Sequence, residues 1–232
     1  MNAEPLTPPH LEELRALSTC VVASAIETFG VRLRNKGFSD SRLHCMFPEL
    51  PPAVGYAATA RIRSSDPPME GHSYYDRGAW WESLLKIPAP RIVVIEDVDS
   101  EPGLGAFIGE VHANILLALG CVAVVSNGGV RDLPNVRKIG LQMFAGNVSV
   151  SHAYAHVFDF GGTVEIAGLT VHPGDLIQGD LHGVQTIPRE IAARVPGKAQ
   201  EIIKARKELI RSCCSDDFTI AHFIQKVKEL EP

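Results

Sequence analysis

The sequence predicts an α/β fold, and three observations carry that reading. Two short apolar runs, Arg91-Ile92-Val93-Val94-Ile95-Glu96 and Cys121 to Ser126, are rich in β-branched residues, as strands buried on both faces are. A helical pattern lies between them. Residues 141–190, in contrast, are dominated by short strands and turns, so antiparallel pieces follow the parallel ones.

The elements follow in order. Thr7-Pro8-Pro9 opens a helix over about residues 8–17, with Leu11, Leu14 and Leu17 on one face. Ser18 or Thr19 caps a second helix that runs to Phe29 and stops at Gly30. Residues 31–52 read as an irregular connection, Val54 to Ile62 as a strand, and Ser64 to Glu70 as a loop. A short helix is expected from Ala79 to Lys86, with Trp80, Leu84 and Leu85 in the core. The 91–96 strand leads through a glycine-containing loop (100–107) to a helix at 109–119. There Val111, Ile115, Ala118 and Leu119 form the expected buried stripe. Gly120 turns the chain into the 121–126 strand. Later, Ile166-Ala167-Gly168-Leu169 suits a hairpin and Pro173-Gly174 a type II turn. Three helices close the chain, at 188–195, 198–213 and 217–230, with a break at Pro196-Gly197. The charged tail reads as a solvated extension, which divides the chain into an α/β domain (1–195) and a helical extension (196–232).

Composition excludes several classes. The chain has 232 residues, with 22 Lys+Arg against 27 Asp+Glu and a net charge of −5, so it lacks the basic footprint of a nucleic-acid binder. No apolar run reaches the roughly 20 residues of a membrane helix, and no secretory signal opens the sequence, so a cytoplasmic protein is expected. Five cysteines without a CxxC spacing predict neither a disulfide framework nor a zinc site. The spacing of Gly103, Gly105 and Gly109 is wrong for a dinucleotide loop.

Chemistry concentrates in Gly109-Glu110-Val111-His112 and Ser126-Asn127-Gly128-Gly129-Val130-Arg131-Asp132. A helix of about ten residues is about 15 Å long, and a strand of about six spans about 20 Å. A helix that turns at Gly120 and returns as a strand therefore brings Arg131 and Asp132 back beside Glu110 and the first-turn N–H groups of Val111 and His112. Such a corner suits an anionic keto acid. The helix start offers amide donors and partial positive charge, and Arg131 can grip a carboxylate or enolate oxygen with two parallel bonds. Asp132 and Glu110 supply hard oxygen ligands for a magnesium ion. Asp132-Leu133-Pro134 also reads as an ordinary helix start, with Asp132 as N-cap.

The motif GE…NGGVRDL, followed by VEIAGLTVHPGDLIQGDLHGVQTIP, resembles the family named for the regulator of ribonuclease activity A. That family includes the class II 4-hydroxy-4-methyl-2-oxoglutarate aldolases, which also decarboxylate oxaloacetate. The resemblance spans roughly residues 11–195, and an acid followed after twenty residues by Arg-Asp is the pattern of its aldolase branch. It implies a compact α/β/β swivel-type domain assembled as a homotrimer or hexamer, with sites between subunits. It further implies a divalent cation, Mg²⁺ or Mn²⁺ or another, and a small 2-oxo acid substrate. On matching positions, Arg131 is the arginine that binds the keto acid and stabilises its enolate. Asp132 is the protein carboxylate on the metal, and Glu110 orients the water that donates a proton. Gly109 and the amides of Val111 and His112 hold the pyruvate carboxylate. Ala23-Ser24-Ala25-Ile26 departs from the Asp-Ala-Leu pattern of many relatives. The alternative is a non-catalytic member that binds and inhibits a partner such as a ribonuclease.

Four further features stand outside this motif. His152 and His156 have helical ligand spacing but equally suit a strand, and Asp180-Leu181-His182-Gly183 resembles a motif of the family but suits a turn at least as well. Asp97 either reaches the sheet edge of Arg131 or begins a loop, and Trp80-Trp81 read as core or interface anchors.

Overall fold

The computed structural model of the chain describes residues 5–68 and 77–230. Two helices, α1 (Pro8–Arg15) and α2 (Thr19–Thr28), precede a two-residue strand, β1 (His44–Cys45). The Ser18 hydroxyl accepts the Val21 N–H and so caps α2. A long strand, β2 (Ala53–Arg63), leads through α3 (Gly78–Leu84) to β3 (Arg91–Asp97). Then come β4 (Ala106–Ile108), α4 (Glu110–Ala118), β5 (Cys121–Val130), α5 (Leu133–Ile139) and β6 (Gln142–Val148). The second half adds β7 (His156–Phe160), the hairpin β8 (Val164–Ile166) and β9 (Leu169–Val171), and the hairpin β10 (Leu176–Asp180) and β11 (Gly183–Ile187). Helices α6 (Val195–Cys213) and α7 (Ile220–Leu230) end the chain.

β2, β3, β5 and β6 pair in parallel, each joined to the next through a helix, as parallel neighbours require. The main sheet runs β1-β6-β5-β3-β2-β10-β11, with β4 beside β5 and β7 beside β2. It nearly closes on itself in the swivel manner. The central strands are buried on both faces and sort their residues by period two. Val93, Ile95 and Val124 join a core under α3, α4 and α5 with Trp80, Leu84, Ala113 and Leu116. Ile92, Val94, Ala123 and Val125 face the other way, onto Val164, Ile166, Leu169 and Val171 of the β8–β9 hairpin. The result is the expected α/β/β layering. A third cluster packs Leu14, Val22 and Ile26 of α1 and α2 onto Tyr56 of β2 and Ala199 of α6.

The β8–β9 turn carries positive φ at Ala167 and Gly168, 46° and 77°, in line with the hairpin expected there. Four expectations need correction. On α4 the buried residues are His112, Ala113 and Leu116, while Val111 is 58% exposed. The helix is rolled so that Glu110 and Val111 face solvent while His112 and Ala113 face the core. Leu85 lies beyond the end of α3 and is exposed, because the core is filled by Trp80 and Leu84. β5 runs four residues past Ser126, with a register shift against β6, and the preceding loop contributes β4. Residues 189–194 are turns, and Pro196-Gly197 lies inside the first turn of α6, where a missing N–H costs nothing. The last residues of the 64–70 loop, 69 and 70, lie outside the described residues.

Candidate active site

The site forms where β5 ends and α4 begins. Val130 pairs with Ile108 of β4, and the Arg131 N–H donates to the Ile108 carbonyl at 3.0 Å. Gly109 follows at once as the N-cap of α4, so Arg131 and Asp132 stand beside the helix start. This edge collects the carboxyl ends of the parallel strands, where open α/β sheets bind ligands.

Asp132 has a left-handed backbone, φ 57° and ψ 31°. Its carbonyl begins α5 by accepting the N–H groups of Asn135 and Val136. Its carboxylate, however, does not cap α5. Oδ2 accepts the N–H of Glu110 at 3.1 Å, and Oδ1 accepts Arg131 Nε–H at 3.3 Å. Asp132 thus caps the neighbouring helix α4 through its side chain and its own helix through its backbone. A Cβ on Gly109 would sit 2.5 Å from Oδ2, so only glycine lets the carboxylate close on the amide. The Glu110 amide, more than the Arg131 guanidinium, holds the Asp132 carboxyl below its usual range, with His152 adding to the effect. It is therefore anionic at neutral pH.

Glu110 is fixed from the other side. Its Oε2 accepts Asn135 Nδ2–H at 2.8 Å, and its carbonyl accepts Asn114 Nδ2–H at 2.9 Å. Asn135 escaped the sequence reading because an Asn one turn into a helix carries no signal. Val111 and His112 supply amides of the first turn of α4, its positive end. Arg131 and Asp132 are about one-third exposed, so the corner is open to a small anion.

Below the helix start, the His112 imidazole is buried and stacks on Phe107 with centroids 5.2 Å apart. Arg77, itself buried, lies over the same ring and donates to His112 Nε2. Burial first, then the charges of Arg77 and His152, push the imidazole down to about 3, so His112 is a neutral floor. Trp80 is fully buried against Phe107, as a core anchor.

The remaining candidates part company with the corner. Asp97 ends β3 and accepts the Gly103 N–H at 2.8 Å, while Asn127 brackets its backbone through both amide atoms. It ties down the 98–105 loop, and burial raises its pKa. Asp180 accepts both the N–H and the hydroxyl of Thr19, and His182 Nδ1 lies 3.1 Å away. Its neighbour Gly179 pairs with Ala53 at the start of β2, so this cluster sits at the opposite edge of the sheet. His152 and His156 bond to different carbonyls, of Ala106 and Tyr154. Among the described residues no group of three His, Cys, Asp or Glu is placed to hold a metal unaided. The five cysteines are free, and no helix of the described residues is long and apolar enough to cross a membrane.

Fold and corner together define an α/β protein in which an ionised carboxylate stands beside a helix start. A sequence profile of the RraA-like (Aldolase/RraA) family matches residues 19–185, and the chain belongs to that family. No curated protein matches it significantly. Among solved structures, it resembles one described as a novel cellulase from microbes associated with the gut ecosystem. That pair is 21% identical, covering 89% of this chain and 90% of the other, with a TM-score of 0.73. An uncharacterized protein from Pseudomonas syringae pv. tomato is 20% identical over 97% of both chains, also with a TM-score of 0.73. RraAS2 of Streptomyces coelicolor, described as an unusual member of the RNase ES inhibitor RraA family, is 19% identical. It covers 90% of this chain and 99% of its own, with a TM-score of 0.68. These likenesses speak for the fold.

Proposed function

We propose that this chain is a divalent-cation-dependent carbon–carbon lyase that generates pyruvate enolate from a 2-oxo acid. It cleaves a 4-hydroxy-2-oxo acid to pyruvate and a second carbonyl compound, or decarboxylates oxaloacetate. The observation that carries this reading is the bond from Glu110 N–H to Asp132 Oδ2, which sets Asp132, and Arg131 bonded to it, beside the start of α4.

The donor set fits magnesium. One ionised carboxylate, Asp132, stands beside a second acid, Glu110, and Mg²⁺ characteristically takes one or two carboxylates and fills its remaining positions with water and substrate oxygens. When bound, the cation supplies Lewis-acid charge at the keto oxygen. The chain's own residues do the rest. The amides of Val111 and His112 hold the substrate carboxylate at the positive end of α4. Arg131 places its guanidinium where the enolate oxygen develops, an effect often worth about 3–4 kcal/mol per donor. Glu110, oriented by Asn135, positions the water that protonates C3 of the enolate.

Exposed apolar side chains stand on the elements and loops that flank β4 and β5: Val111, Leu104, Val148, Tyr154 and Val150, the last 95% exposed. These side chains support a trimer or hexamer whose sites lie between subunits. The competing reading is a non-catalytic protein that binds and inhibits a ribonuclease. The joint presence of an ionised Asp132, Glu110 and Arg131 at one helix start favours chemistry over that competitor.

The test is pyruvate formation from oxaloacetate and from 4-hydroxy-4-methyl-2-oxoglutarate, with Mg²⁺ and with EDTA. Catalysis far above the background of Mg²⁺ alone, abolished by EDTA, is expected. Purified protein that adds nothing to the background with several 2-oxo acids overturns the reading, and tight capture of a ribonuclease then favours the competitor.

A further inference from the structure

Aldol cleavage and decarboxylation share one half and differ in the other. In both, an electron pair at C3 moves onto the C2 carbonyl. Only aldol cleavage must also remove the proton of a C4 hydroxyl. Arg131, Asp132 and Glu110 serve the shared half. A base for the hydroxyl has to stand farther along the substrate.

The candidate is His152. His152 lies between β6 and β7 in a loop pinned to the strands that build the site. Ser149 N–H donates to the carbonyl of Val130, the residue before Arg131, at 3.0 Å. Ala106 N–H donates to the Ser151 carbonyl at 2.8 Å, and Tyr154 N–H to the Ser64 carbonyl at 3.1 Å. A Cβ on Gly105 would collide with the His152 carbonyl oxygen, so the loop lies flat on β4 only because that residue is glycine.

The ring itself is oriented. His152 Nδ1 is 2.7 Å from the Ala106 carbonyl oxygen. A carbonyl only accepts, so Nδ1 carries the proton and Nε2 remains the basic nitrogen. His152 is exposed, which leaves that nitrogen open to a ligand. The ring is anchored on Ala106, at the far end of β4 from Gly109, and three residues of strand span on the order of 10 Å. A short 2-oxo acid, bonded to the α4 amides at one end and to a base at its C4 hydroxyl, spans about that distance. The field of His152 reaches both Asp132 and His112, so the ring shares their edge of the sheet.

We infer that His152 is the base that takes the C4-hydroxyl proton in aldol cleavage, an inference that rests on the lyase reading above. The proton passes to Nε2 and C4–O becomes a carbonyl. The C3–C4 bond breaks, and its electron pair forms the pyruvate enolate. The imidazolium then returns its proton to solvent. Decarboxylation of oxaloacetate has no hydroxyl proton to remove and does not call on His152.

The experiment compares wild type with His152→Gln in the presence of Mg²⁺, using 4-hydroxy-4-methyl-2-oxoglutarate and oxaloacetate. Glutamine keeps an N–H for the Ala106 carbonyl and supplies no base. The ratio of aldol cleavage to decarboxylation is expected to fall about 100-fold or more, the usual contribution of a general base. Pyruvate affinity, read by calorimetry, stays within about twofold. An unchanged ratio overturns the inference, whether both activities persist or both fall together. A wild type that decarboxylates oxaloacetate but cleaves no 4-hydroxy-2-oxo acid overturns it too, and leaves the lyase reading standing. A wild type that does neither ends that reading before any variant is made.

Discussion

Asp132 shows how one residue serves two helices: its carbonyl starts α5 while its carboxylate reaches the first amide of α4. The sequence alone gives only the first half of this, because Asp-Leu-Pro is a familiar helix opening and the left-handed turn that redirects the side chain has no local signature. Gly109 is the matching half. Gly109→Ala pushes a methyl group against Oδ2, so Mg²⁺ affinity measured by calorimetry should fall at least about tenfold while the fold persists. His112 yields a prediction in pH. Its imidazole titrates at about 3 in the folded chain against 6.5 unfolded, so the unfolded state holds the extra proton between those values. Stability is full above about 6.5 and drains as pH falls toward 3, by at most about 1.4 kcal/mol per pH unit. Urea unfolding at pH 7 and pH 4.5 should show a smaller loss for His112→Gln than for wild type. Equal losses would remove His112 as the cause.

Among the elements, β3 and β5 were legible because burial on both faces leaves uninterrupted β-branched runs, and the β8–β9 turn was legible in Ala167-Gly168. The roll of α4 was not. Val111-x3-Ile115 and His112-x3-Leu116 are both acceptable stripes, and only the Phe107 and Arg77 surfaces beneath decide between them. The choice turns Val111 to solvent and the His112 imidazole into the core. Leu116→Ala should cost about 2–5 kcal/mol, because Leu116 is fully buried. Val111→Ala should stay within about 0.5 kcal/mol. Denaturant unfolding of the two variants checks this, and the reverse order would contradict the roll. α6 offers a similar lesson. Pro196-Gly197 reads as a break in isolation, yet Val195 and Ala199 are buried against α1 and α2, and tertiary packing carries the helix through.

At the scale of the whole molecule, a nearly closed sheet gathers the carboxyl ends of its parallel strands at one edge, and every group assigned to the lyase chemistry stands there. The family and the α/β/β layering could be read from the GE…NGGVRDL motif and the strand pattern. The involvement of the loop around His152 could not, because its proximity depends on pairing between segments more than forty residues apart. The exposed rim of Leu104, Val148 and Val150 predicts a sedimenting species larger than the 25.1 kDa chain. Val150→Asp should shift it toward the monomer. The central claim, that this corner makes pyruvate enolate, can be tested without knowing the natural substrate. Proton NMR of pyruvate in D₂O with Mg²⁺ reads the exchange of its methyl protons. The account predicts rapid exchange with the wild-type chain and a loss of about 100-fold or more in Arg131→Ala and Asp132→Ala. Exchange at the background rate in wild type, or equal exchange in all three proteins, would contradict it.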